Sequence, residues 1–281
     1  METKINSNNI KLIAFDLDDT LLTHEKILTS ENYESLKKAA ELGIQIVPST
    51  GRFWHAVPEN VKSLDFVNYA IVVNGAEIRD VKNDVAIFKA EIPIKRALNL
   101  MRVFDDLPVI YDCIIEGKSY ISRENYNLVE KFALDEIQLS MLKNLRNPVD
   151  NFYEFVISKS CDVQKIQLFT LDRDLRAELL KAFRIVFPEN AISSSVANNI
   201  EINDKNAEKG YALKKLSEIL KIDIKNTMSF GDGLNDISMI KNAGIGIAMG
   251  NACQELKDVS DYVTLSCEES GVSEGIKKFC L

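Results

Sequence analysis

Asp16 and Asp18 stand two residues apart in Asp16-Leu17-Asp18-Asp19-Thr20, directly after the apolar run 10–15. Alternate side chains leaving a strand share a face, so the two carboxylates can enter one pocket, whereas adjacent residues would diverge. Such a pair suits a carboxylate nucleophile with its own acid/base partner. Like charges held this close resist ionising together, so one is expected to keep a proton near neutrality while the other stays ionised and nucleophilic. Taken alone, the same five residues also fit an acidic turn after a strand.

A second acidic motif, Gly231-Asp232-Gly233-Leu234-Asn235-Asp236, follows the strand-like run 227–230 and opens a helical pattern. Its glycines are expected to turn the backbone sharply and bring Asp232 and Asp236 to a strand's C-terminal end, where ligands collect in open parallel sheets. Asp232 would there meet Asp16. Three carboxylates with carbonyls and water make an oxygen-rich site that suits Mg²⁺ better than zinc or copper. The plainer alternative is a Gly-rich turn with Asn235 or Asp236 as a helix cap. Lys209 opens a helix whose apolar face is Ala212, Leu213, Leu216, Ile219 and Leu220. A cation in a first turn opposes the helix dipole by roughly 0.3–1 kcal/mol, so helix stability does not account for it. Either it is a solvated surface lysine, or it lies near Asp16, holding the nucleophile ionised and offsetting charge on a phosphoryl group. Ser49-Thr50-Gly51-Arg52 ends another strand-like run and supplies a hydroxyl, a glycine for close backbone approach and a guanidinium, each able to contact phosphate oxygens. Asn74-Gly75 falls at the same sheet edge.

These residues need a scaffold that gathers strand ends. The first eighty residues alternate strand-like runs at 10–15, 44–47 and 69–73 with helical patterns from Thr29 or Ser30 to Gly43 and at 56–64, the βαβαβ order of a parallel α/β sheet. From about 80 to 203 the runs pair through turns, as in 109–115 and 118–122 around Glu116-Gly117, with helices at 94–104, 126–145 and 175–183. That pattern predicts an α+β segment with an antiparallel sheet. The first style returns with a helix at 207–220, a strand at 227–230, a helix at 236–242 and strands at 245–248 and 262–265. The expected architecture is a Rossmann-like parallel-sheet core, 1–80 with 204–281, carrying an α+β insert, 81–203.

Composition narrows the partners. Of 281 residues 46% are hydrophobic, enough for a sizeable core, and the net charge of −8 comes without a basic run. A nucleic-acid backbone is therefore not an expected partner. No apolar stretch reaches the roughly eighteen residues that span a bilayer, and the first nine residues are polar, so a cytoplasmic protein without a membrane partner is expected. Cys113, Cys161, Cys253, Cys267 and Cys280 show no zinc-ligand spacing and read as reduced thiols; His24 and His55 read as too scattered for a metal cluster.

The four motifs in this order, over nearly the whole chain, closely resemble the haloacid dehalogenase superfamily of phosphohydrolases, in particular its Cof-type branch with a large α/β cap inserted after the third core strand. The resemblance implies Asp16 as nucleophile, Asp18 as acid/base, Thr50, Gly51 and Lys209 as phosphate-binding groups, and Arg52, Asn74 and Asn235 on the phosphate side. It implies Mg²⁺ held by Asp16, Asp232 and the backbone carbonyl of Asp18, with Asp236 behind them. It further implies hydrolysis of small phosphomonoesters, such as sugar phosphates, through an aspartyl phosphate, under a cap that covers the site. Arg123, Asn125 and Tyr126 are polar enough to line a pocket, though solvated loop residues are equally polar. A phosphosugar mutase using the same aspartyl phosphate and a noncatalytic phosphometabolite sensor are the alternatives. Asp19 stands where many members have glycine, Pro48 precedes the second motif and Phe53-Trp54-His55 follows it. These departures bear on substrate fit and remove no reacting group.

Overall fold

The computed structural model describes residues 9–281. In chain order its strands are β1 (Leu12–Phe15), β2 (Gln45–Pro48), β3 (Tyr69–Val72), β4 (Glu77–Asp80), β5 (Val85–Lys89), β6 (Ile110–Ile115), β7 (Lys118–Ser122), β8 (Arg146–Val149), β9 (Lys165–Phe169), β10 (Asn190–Ser193), β11 (Asn199–Asp204), β12 (Thr227–Gly231), β13 (Ile245–Ala248) and β14 (Tyr262–Val263). They belong to two compact units. The first comprises the described residues through Arg52, then Val57–Lys89 and Glu208–Leu281; the second comprises Phe53–Ala56 and Ala90–Ala207.

The first unit is built on a parallel sheet in the order β14-β13-β12-β1-β2. Every residue of β1, β12 and β13 is buried. Strands buried along their whole length require cover on both faces. One face receives the helix Lys209–Leu220, whose Ala212, Leu213 and Leu216 pack with Leu12, Ala14 and Val47. The other receives Ser30–Glu41 and Gly271–Phe279, tied together by Ser35 Oγ and Ser273 Oγ at 2.6 Å. Thr29 caps the first of these by accepting the Asn32 N–H, as its Ser/Thr position before an acidic first turn predicts.

β3 runs parallel to β2, as expected of a third core strand, but is joined to it only at one end. A single bridge, Ser49 to Ile71, joins it to the end of β2, and its ladder is antiparallel with β4 in a three-stranded sheet, β3-β4-β5. The turn at Val73, Asn74 and Gly75, all at positive φ, reverses the chain at once, so β4 and β5 stay with the first unit and the expected boundary near residue 80 falls inside their hairpin. Positive φ at a β-branched residue is rare, and such positions cost on the order of 1–3 kcal/mol. The turn is held by Val73 N donating to Arg52 O at 2.9 Å and Asn74 N to Thr50 O at 3.0 Å.

The second unit has a six-stranded mixed sheet, β10-β11-β9-β6-β7-β8, antiparallel except for the β7–β8 pair. One face carries an apolar core with Leu100, Phe104, Ile166 and Phe183. The expected helix 126–145 is two helices, Arg123–Phe132 and Glu136–Leu145. Asp135 starts the second by accepting the Gln138 N–H at 2.7 Å, while Gln138 Oε1 accepts from Leu134 N, a cap that interrupts the pattern. No helix among the described residues is long and apolar enough to cross a membrane.

Candidate active site

From β1 the chain moves to β2 on one side, whereas β12 leads to β13 and β14 on the other, so the strand order switches between β1 and β12. Open parallel sheets place ligands at this point, at the strands' C-terminal ends. Phe15 lies opposite Phe230, and Asp16 N donates to Phe230 O at 3.1 Å. Register alone therefore puts Asp16 beside the loop that carries Asp232.

Lys209 completes the arrangement from the start of its helix. Its side chain is fully buried, and Nζ lies 2.6 Å from Asp16 Oδ1 and 2.6 Å from Asp236 Oδ1. The solvated-surface alternative for Lys209 is thereby excluded. Asp236 uses its second oxygen to accept the N–H groups of Asp232 at 3.1 Å and Gly233 at 3.0 Å, which shapes the acidic loop. The loop glycines serve closeness of approach and not positive φ: a Cβ on Gly231 would sit 2.5 Å from the Cβ of Asp236. Thr20, whose role the sequence did not disclose, donates from Oγ1 to Asp232 Oδ1 at 2.7 Å.

Asp16, Asp232 and Asp236 offer carboxylate oxygens that all lie within 4.8 Å of one another. Lys209 is the cation placed against them, and the donor set is all oxygen. This buried cluster suits a divalent metal ion of the hard, oxygen-seeking kind. Asp236 already engages both oxygens with Lys209 and the loop amides, which leaves Asp16 and Asp232 as the carboxylates best placed to ligate. The Asp18 carboxylate does not join the cluster.

Instead, Asp18 receives a two-pronged bond from Arg52, Nε to Oδ2 and Nη2 to Oδ1, both 2.8 Å. Lys26, which no sequence pattern singled out, lies 3.2 Å from both Asp18 and Asp19. Burial would push the Asp18 carboxyl up, but Arg52 and then Lys26 outweigh it and hold it below the usual carboxylate range. Burial pushes Asp16 well above that range; Lys209 opposes the rise, and Asp236 and Asp232 add to it. The pair is thus divided, but not by the mutual repulsion expected from sequence: different partners divide it. Among protein groups alone, the ionised form is favoured at Asp18, the carboxyl assigned as acid, and opposed by burial at Asp16. Burial also keeps Lys209 from simple solvation, yet Asp16 and Asp236 raise its pKa overall and keep it charged.

Thr50 is buried, and its Oγ1 accepts the Arg52 N–H at 3.1 Å. Gly51 lies so close to Asn74 that a Cβ would come 2.9 Å from Asn74 Oδ1, and the same oxygen accepts from Asn235 Nδ2 at 3.3 Å. Asn74 therefore links the second motif to the fourth. In the second unit, Arg123 pairs with Asp150, Asn125 Nδ2 donates to Tyr111 O, and Tyr126 donates to Lys143 O, so all three have local structural partners.

Asp232 is pushed up to about 6, by burial first and then by Asp236. The sign follows from linkage: the folded chain binds this proton more tightly, so its stabilising effect is complete below an ordinary carboxylate pKa and is lost as pH rises through about 6. A divalent cation relieves the repulsion that replaces it. The rise in melting temperature on adding Mg²⁺ is therefore expected to be larger at about pH 7.5 than at about pH 5, and smaller at both in Asp232→Asn. Equal shifts at the two pH values would place metal binding elsewhere.

Residues 13–276 match the haloacid dehalogenase-like hydrolase family. The chain is 32% identical over 285 residues, 97% of each protein, to 5-amino-6-(5-phospho-D-ribitylamino)uracil phosphatase YcsE of Bacillus subtilis (strain 168). Among solved structures it is similar to a haloacid dehalogenase-like hydrolase from B. subtilis, with a TM-score of 0.84 at 29% identity, covering 95% of this chain and 99% of that one. It is also similar to a sugar phosphatase of HAD subclass IIB, with a TM-score of 0.80 at 26% identity, covering 96% and 98%.

Proposed function

The chain belongs to the haloacid dehalogenase-like hydrolase family, whose members include the phosphatase to which it is similar, and we propose that it is a Mg²⁺-dependent phosphatase of small phosphomonoesters that works through an aspartyl phosphate. The observation that carries the reading is the junction of Asp16, Asp232 and Asp236 around the buried Lys209 at the strand-order switch. A sensor needs no such charged group beside a nucleophile.

In this reading Asp16 attacks phosphorus in line and the alkoxide leaves with a proton from Asp18; Asp18 then takes a proton from the water that cleaves the acyl phosphate. Mg²⁺ would be held by Asp16, Asp232 and the Asp18 carbonyl, and would supply neutralisation of the phosphoryl charge. Lys209 favours the ionised, nucleophilic form of Asp16 against the burial that opposes it, and a bound metal ion would favour that form further. Thr50, Gly51 and Asn235 border the phosphoryl oxygens. Asp18 must part from Arg52 before it can carry a proton. A phosphate dianion competes for the same guanidinium fork, so substrate itself favours that release. The sugar phosphatase and the ribitylaminouracil phosphate phosphatase to which the chain is similar make phosphorylated sugars and ribityl phosphates the substrate classes to try first.

The test is inorganic phosphate release from a panel of such monoesters, with Mg²⁺ and with EDTA. Mg²⁺-dependent release from at least one class supports the phosphatase; conversion of a sugar monophosphate to its isomer without phosphate release would overturn it in favour of a mutase. Asp232→Ala is expected to raise the Mg²⁺ concentration for half-maximal activity at least about tenfold, since even outer partners of a metal are worth that much. Superimposable Mg²⁺ titrations would remove Asp232 from the metal site.

A further inference from the structure

His24, Cys267 and Glu268 form a second group of potential metal ligands, with a ring nitrogen, the thiol sulfur and a carboxylate oxygen all within 4.8 Å of one another. The histidine and cysteines looked too scattered for a metal cluster in the sequence, because the residues that meet here come from opposite ends of the chain, 244 positions apart for His24 and Glu268. We propose that these three residues bind a borderline-soft divalent transition ion of the Zn²⁺ class, at a site separate from the carboxylate cluster. The inference stands independently of the phosphatase reading.

Donor chemistry sets the class. Nitrogen, sulfur and oxygen in one small set favour Zn²⁺ or its neighbours over Mg²⁺, which prefers oxygen alone. A three-residue set leaves a fourth tetrahedral position for water. One ring nitrogen of His24 has a carboxylate partner of the kind that metal-bound histidines use: Nδ1 lies 2.8 Å from Asp19 Oδ1. A carboxylate there fixes the tautomer that donates from Nδ1 and carries its lone pair on Nε2. The exposed ring of His24 is thus not left to rotate freely.

The two segments are also held in place without an ion. Asn251 donates from Nδ2 to Asp19 O at 2.8 Å and accepts the Cys267 N–H on Oδ1 at 2.9 Å, so one side chain fastens the His24 loop to the Cys267 segment. Glu268 Oε1 accepts the His24 N–H at 2.9 Å. Cys267 to Glu269 form a short 3₁₀ turn capped from Ser266. Burial first, and then the carboxylates of Glu268, Asp19 and Asp232, push the Cys267 thiol up to about 11. The carboxylates among these causes, unlike burial, favour a cation beside the sulfur. Binding would displace the thiol proton to solvent and leave the thiolate on the metal.

Cobalt(II) reports the site directly, because a thiolate ligand gives a sulfur-to-metal charge-transfer band in the near ultraviolet that an all-oxygen site cannot give. Titration of the full chain is expected to produce this band, to lose it in Cys267→Ser, and to require at least about tenfold more Co²⁺ in His24→Ala and Glu268→Gln. The last two changes are at exposed side chains and keep the test open if Cys267→Ser folds poorly. No band in the parent at millimolar Co²⁺ would overturn the proposal. So would a band that survives in Cys267→Ser, which would assign it to another cysteine, or a midpoint unchanged in both His24→Ala and Glu268→Gln.

Discussion

Asp16→Asn is expected to lower phosphate release by on the order of 10⁴-fold or more while leaving the folded unit intact, the scale of loss that follows removal of a covalent nucleophile. The amide occupies nearly the same volume and cannot form an acyl phosphate. Stability should not fall with activity. Burial and the neighbours Asp236 and Asp232 oppose the ionised form of Asp16, so removing its charge relieves a repulsion, and Lys209 keeps Asp236 as a partner at 2.6 Å. In chelator at neutral pH, the melting temperature of the variant is expected to equal or exceed that of the parent. Rapid-quench detection of a phosphorylated enzyme in the parent, absent in the variant, completes the measurement. A variant retaining more than about a tenth of parent turnover would show that some other group attacks phosphorus.

The separation of effects matters because the site is readable at two depths. Strand-end placement was legible: an acidic pair after an apolar run and a Gly-Asp loop after another mark C-terminal strand ends, and parallel register then brings Asp16 to Asp232. Lys209 was legible as an anomaly, a cation in a first turn that its own helix does not want. What was not legible depends on side-chain direction and chain reversal. Nothing in Ser49-Thr50-Gly51-Arg52 says that the guanidinium will fork onto Asp18, nor that Lys26, in an unremarkable polar stretch, will join it. Val73 at positive φ hides the turn that follows β3 and lays the antiparallel β4 against it. The helix Gly271–Phe279 has no counterpart in the sequence reading, and glycines at 271 and 275 give it a weak helical pattern. A Cβ on Gly275 would lie 2.5 Å from the Phe230 ring, so this glycine is selected by packing against the site's own strand and not by helix propensity.

Lys209→Met separates the structural and chemical duties of the buried cation. Lys209 is one positive charge for two hydrogen-bonded carboxylates, all three groups buried or nearly so. Methionine fills much of the same space but leaves Asp16 and Asp236 without their partner. Breaking a buried pair from one side costs about 3–5 kcal/mol, most of it the penalty of the stranded charges. The carboxyls can escape that penalty by taking up protons, so the loss, read from denaturant unfolding in chelator, should be larger at about pH 7.5 than at about pH 5.5. Turnover should fall by about 10²-fold or more at the same time, because no fixed cation then meets the phosphoryl charge. The double variant Asp16→Asn, Lys209→Met distinguishes stranded charge from lost packing: with one carboxylate neutralised, it should be less destabilised than Lys209→Met alone. If the double variant is instead as unstable as the single one, methionine fails by shape, and the electrostatic account of the site's core has to be given up.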